Sequence, residues 1–105
     1  MAKYVMVVPT VPVAGQDADY NSWYDDVHVG EVCSVPGINS CRRFDAEPGA
    51  SPNEPPSPYL AIYEIETDDI DGVVAELSRR AGAGEMNMSP ALDLDQARMW
   101  VYRQR

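Results

Sequence analysis

From Tyr4 to Val8 every position is apolar, and Tyr4, Met6 and Val8 alternate with Val5 and Val7 on the two faces of a predicted strand. A strand that is apolar on both faces has to be covered on both. The pattern then changes period. After the turn-forming stretch Pro9 to Gly15, Asp17 or Asp19 offers an N-cap oxygen to a helix that Val35-Pro36-Gly37 ends. Ile38 to Phe44 reads as a second strand. Tyr59 to Ile65 reads as a third, with Tyr59, Ala61 and Tyr63 on one face and Leu60, Ile62 and Glu64 on the other. Between them the proline-rich segment Glu47 to Pro58 cannot enter a sheet interior and is a long exposed connection.

Thr67-Asp68-Asp69 supplies capping oxygens to a second helix, whose Ile70, Val73, Val74, Leu77 and Ala81 recur at helical spacing until Gly82 and Gly84 stop it. Ser89-Pro90 suits the start of a single helical turn, and Ala97 to Tyr102 closes the chain as a fourth strand. The order β, α, β, β, α, β is the split pattern of a ferredoxin-like α+β fold, a four-stranded antiparallel sheet with two helices on one face. The other face stays apolar in strands one, three and four, which predicts a homodimer joined sheet against sheet.

A chain of 105 residues suits one domain, 1–105. No apolar run approaches the roughly 20 residues a membrane span needs, and the opening Met1-Ala2-Lys3-Tyr4-Val5 reads as a strand, not a signal peptide, so a cytoplasmic protein is expected. A net charge of −9 with scattered basic residues argues against nucleic acid as a partner. Cys33 and Cys41 lack zinc-like spacing and are expected as free thiols.

Within the first helix, Tyr20-Asn21-Ser22-Trp23-Tyr24-Asp25-Asp26-Val27-His28 sets the chain's only histidine among three aromatics and several carboxylates. Imidazole titrates near neutrality. On a wheel of 3.6 residues per turn, Tyr20, Trp23, Tyr24, Val27, Glu31 and Val35 share a sector, and His28 borders it. Tyr24, Asp25 and Glu31 are three or four residues from His28, within helical reach of the ring. The chemical reading gives His28 the proton transfer and Tyr24 a hydrogen bond to a substrate oxygen, with Glu31 or Asp25 fixing the imidazole tautomer. The plainer alternative is that the aromatics are core and His28 a satisfied group at the helix edge. Trp23, Tyr63, Met86 and Met88 complete a candidate substrate-binding set. Arg43 either binds a substrate anion or pairs with Glu31, Glu64 or a helix carboxylate. No metal site is expected from one histidine with acids three residues away. No phosphate loop or dinucleotide fingerprint is present, so no cofactor is expected.

The series Trp23-Tyr24-Asp25-Asp26-Val27-His28, Glu31, Val35-Pro36-Gly37, Arg42-Arg43-Phe44 and Tyr59-Leu60-Ala61-Ile62-Tyr63-Glu64 resembles the EthD-like branch of the dimeric α/β-barrel superfamily. The resemblance implies a sheet-paired dimer with a small-molecule cavity between sheet and helices, facing which the motif's histidine, here His28, is the catalytic candidate. Relatives commonly carry proline two residues after that histidine. This chain has Gly30, which predicts a helix loosened just beyond His28. The function expected is a cofactor-independent lyase, isomerase or cyclase acting on a small, mostly apolar carbonyl or phenolic substrate. The alternatives are a cofactor-free monooxygenase and a non-catalytic small-molecule-binding accessory protein.

Overall fold

A computed structural model describes residues 1–105. Four strands, β1 (Ala2–Thr10), β2 (Ile38–Asp45), β3 (Tyr59–Thr67) and β4 (Trp100–Arg103), form one antiparallel sheet in the order β2-β3-β1-β4. The central register sets Tyr4 opposite Ile65, Met6 opposite Tyr63 and Val8 opposite Ala61. The first helix runs as α1 (Asp17–Trp23), a π-helical segment (Tyr24–His28) and α2 (Val29–Cys33). The second is α3 (Ile70–Gly82). This is the ferredoxin-like α+β architecture that the hydrophobic pattern predicts.

The core lies between the sheet and the first helix, where Met6, Tyr20, Tyr24, Val35, Tyr63 and Ile65 are fully buried. The helix-to-β2 turn passes through Gly37 at φ +98°, and a Cβ there would stand 2.9 Å from Val73 Cγ2 of α3. Only glycine allows both the conformation and the approach. On the opposite sheet face, Val5 and Val7 pair with Tyr102 and Trp100.

Several local expectations change. Gln16, not an aspartate, occupies the N-cap of α1 and makes no side-chain cap bond. Asp17 lies inside the first turn, where its charge suits the helix dipole, and accepts from the Tyr59 hydroxyl at 2.8 Å. Ser89 caps a tight turn by accepting from Ala91 N, so the helical turn falls later, as a 3₁₀ turn over Leu94–Gln96. The fourth strand begins at Trp100 and runs to Arg103, although Arg98 N still donates to Pro9 O at 3.2 Å in the same register. Asp69 caps α3 as expected, accepting from Gly72 N at 3.0 Å.

Candidate active site

The helix loosens earlier than Gly30 predicts. Val29 N–H reaches back five residues to Tyr24 O, and the π-helical turn spans Tyr24 to His28. Positions 23 and 28 would stand about 140° apart around an ideal α-helix. The wider turn brings them together: the Trp23 and His28 rings stack with centroids 4.6 Å apart at 23°, and Tyr24 meets the imidazole edge-on at 5.0 Å and 88°. Single π-turns of this kind concentrate at functional sites.

His28 therefore sits not at the margin of an apolar face but on the wall of a cavity of about 320 Å³ between the helices, the sheet and the segment before β4. Thirteen of the seventeen lining residues are hydrophobic, and none is acidic. Four of the chain's five methionines line it, Met6, Met86, Met88 and Met99, together with Tyr24 and Tyr63. Met86 and Met88 were legible as candidates in the sequence. Met6 and Met99 were not, because only the β1 register and the path into β4 bring them there.

The Tyr63 hydroxyl donates to the Tyr24 oxygen at 3.2 Å, which leaves the Tyr24 proton free to donate elsewhere. Burial raises both phenols far above their ordinary range, so both stay protonated at any physiological pH. Burial also lowers the His28 pKa, against the opposing pull of Glu31. The ring is thus neutral at pH 7. Its Nδ1 is buried and has no hydrogen-bond partner.

The remaining predicted site residues lie outside the cavity lining. Asp25 does not touch the imidazole; its carboxylate accepts from Arg43 at 2.7 Å. Arg43 also donates to Asn21 at 2.9 Å and lies over the Tyr24 ring at 4.4 Å, so it braces the back of that tyrosine instead of facing a ligand. Glu64, another predicted Arg43 partner, pairs with Arg42 at 3.1 Å. Glu31 stands with Oε1 3.7 Å from His28 Nδ1, beyond hydrogen-bond distance, while its Oε2 accepts from Asn87 N at 2.7 Å. Trp23 turns its indole N–H to Asn87 O at 2.6 Å. Nothing in the sequence singles out Asn87, whose backbone groups make these contacts. No three His, Cys, Asp or Glu side chains converge as metal ligands.

Two of the solved structures that match over the whole chain share its fold. A candidate monooxygenase from Shewanella loihica PV-4 is 14% identical with a TM-score of 0.61, and 97% of its own chain is covered. An EthD (ethyl tert-butyl ether D) family protein from Bacillus halodurans C-125 is 9% identical with a TM-score of 0.56, covered over 100% of both chains. The chain has the fold of an EthD family protein. At these identities the likeness shows the ferredoxin-like α+β fold alone and leaves the chemistry to the site. No family model matches the sequence, and no curated protein does. No helix is long and apolar enough to cross a membrane.

Proposed function

We propose that this protein is a cofactor-independent lyase, isomerase or cyclase that moves a proton on a small, mostly apolar carbonyl or phenolic substrate. One observation carries the reading: the only histidine lines an apolar cavity free of acidic residues, and the buried Tyr24, which lines the same cavity, sets its ring edge-on to the imidazole. A neutral imidazole accepts a proton from an acidic C–H or O–H of the substrate. Tyr24, its own oxygen held by Tyr63, donates to the substrate oxygen as negative charge grows there. The imidazolium then returns the proton at a second position or to the leaving group, and the ring is neutral again.

The test follows the proton, not a named product. In D2O, the wild-type protein should catalyse exchange into the α-positions of aryl ketones bearing an α-hydrogen, or the ortho positions of phenols, in a panel of such compounds, and a folded His28→Ala variant should not. Equal exchange by both would sink the assignment.

That the Shewanella loihica neighbour is described as a monooxygenase favours a second reading, in which the substrate anion reacts with dioxygen, without a cofactor, beside His28, on which Trp23 stacks from outside the cavity. Ligand-dependent oxygen uptake would select it over the first. Saturable binding with neither exchange nor oxygen uptake would mark an accessory binding protein. In either enzymatic reading we propose a working homodimer joined through the outer sheet face. Support comes from the apolar residues left uncovered there, Trp100 and Tyr102 of β4 with Val5, Val7 and Ile62 beside them.

A further inference from the structure

Neither Trp23 nor Glu31 lines the cavity, yet both reach its wall through the backbone of one residue. The Trp23 indole donates to Asn87 O at 2.6 Å, and Asn87 N donates to Glu31 Oε2 at 2.7 Å. Both backbone polar groups of one loop residue are therefore held by the first helix. The residues on either side of Asn87 are Met86 and Met88, which line the cavity. The same two helix residues flank the imidazole: Trp23 stacks on it, and Glu31 Oε1 faces its Nδ1 at 3.7 Å.

Nδ1 and Oε1 are buried, face each other and have no other partner. Leaving both unsatisfied is unfavourable. A shift of under about 1 Å would bring them to hydrogen-bond distance. Such contacts are often long in a free enzyme and tighten when ligand binds.

We propose that Glu31 and Trp23 are positioning residues that tie the methionine wall of the cavity, through the Asn87 backbone N–H and C=O, to the ring of His28. Seating of the wall and orientation of the imidazole are then one motion. The proposal rests on the reading of His28 as the base and adds two residues that act without touching substrate. With that contact closed, Glu31 Oε1 accepts a hydrogen bond from Nδ1–H, which leaves Nε2 as the unprotonated nitrogen that can act as base. Glu31 is the charged group facing Nδ1; Arg98 is the cation of the shared cavity lining, its Nη1 turned to the Asp95 and Ala97 carbonyls, and Trp23 and Tyr24, the rings packed on the imidazole, are uncharged at neutral pH.

Because His28 is the only histidine, its signals are unambiguous in a long-range proton–nitrogen spectrum of the intact labelled protein. The wild type should show the Nδ1–H tautomer. Glu31→Gln, which removes the facing charge, should lower the His28 midpoint by roughly one pH unit. The decisive variant is Trp23→Phe, which keeps Glu31 and a stacking ring but releases the Asn87 carbonyl. Faster amide exchange at Asn87 together with a changed His28 midpoint or tautomer ratio is expected. Faster exchange with an unaltered His28 titration would mean a merely structural clamp and overturn the proposal.

A measurement without mutation guards against misfolded variants. In the wild type, the protection factor of the Asn87 amide should change with pH at the same midpoint as His28. Protection that stays flat through that titration would also overturn it. None of these readouts needs turnover, so the clamp and the assignment of His28 as base stand or fall separately.

Discussion

At His28 two forces compete for one proton. Burial favours the neutral ring and outweighs the Glu31 carboxylate, so the folded pKa lies below the ordinary value of 6.5. A histidine depressed on folding contributes stability above its unfolded pKa and loses it as pH falls toward the folded one, because the unfolded chain binds the proton more readily. The thermal midpoint should therefore drop as pH is lowered from about 6.5, with a steeper slope in wild type than in His28→Gln, since the difference isolates this one group. Tyr24→Phe tests the neighbouring hydroxyl. Turnover should fall on the order of 10²-fold, as for other single donors to a developing oxyanion. Stability should fall by about 1 to 2 kcal/mol, because the Tyr63 hydroxyl loses its acceptor. Of the residues involved, His28, Tyr24, Tyr63, Met86 and Met88 were readable because each bears its own chemistry or lies in a pattern. Asn87 contributes only its peptide group, which every residue has. Asp25 and Arg43 attracted attention by charge, but charge alone does not say which way a side chain turns.

Helices and strands were legible wherever one period held. The alternation in β1 and β3 and the helical spacing in α3 reappear in the register and burial of those elements. The π-turn was not legible, because a wheel turning a fixed angle per residue carries no place for a widened turn. Gly30 gave a hint of a loosened helix but put it after His28 instead of before. Two glycines of this first helix and its exit should respond oppositely to the same change. Gly30→Ala adds a methyl group to open space inside α2 and should stabilise by up to about 1 kcal/mol. Gly37→Ala forces a side chain into a left-handed conformation and against Val73, and should destabilise by about 1 to 3 kcal/mol. Urea denaturation of both variants beside wild type measures the two signs.

For the whole molecule, the sheet leaves one face without helices. Trp100 and Tyr102 are 48% and 61% exposed, and Phe44 on β2 is 42% exposed. Such a surface on an acidic chain is soluble most economically when a second copy covers it. Light scattering should give twice the 11.6 kDa chain mass at micromolar concentration, and Trp100→Glu with Tyr102→Lys should return it to the single-chain value. A stable wild-type monomer under the same conditions would remove the dimer from the account. The cavity opens on the other side of the sheet, so both copies would keep their own.

The stacked pair of Trp23 and His28 also gives the protein an optical readout of its own base. Excited indole loses energy to a protonated imidazole in contact with it and much less to a neutral one. Replacing Trp100 with phenylalanine leaves Trp23 as the only indole, held 4.6 Å from the ring. Its emission should brighten from acid toward neutral pH with the midpoint of His28. A ligand that displaces the wall or occupies Nε2 would move that midpoint, so a fluorimeter can screen for the substrate before any product is known.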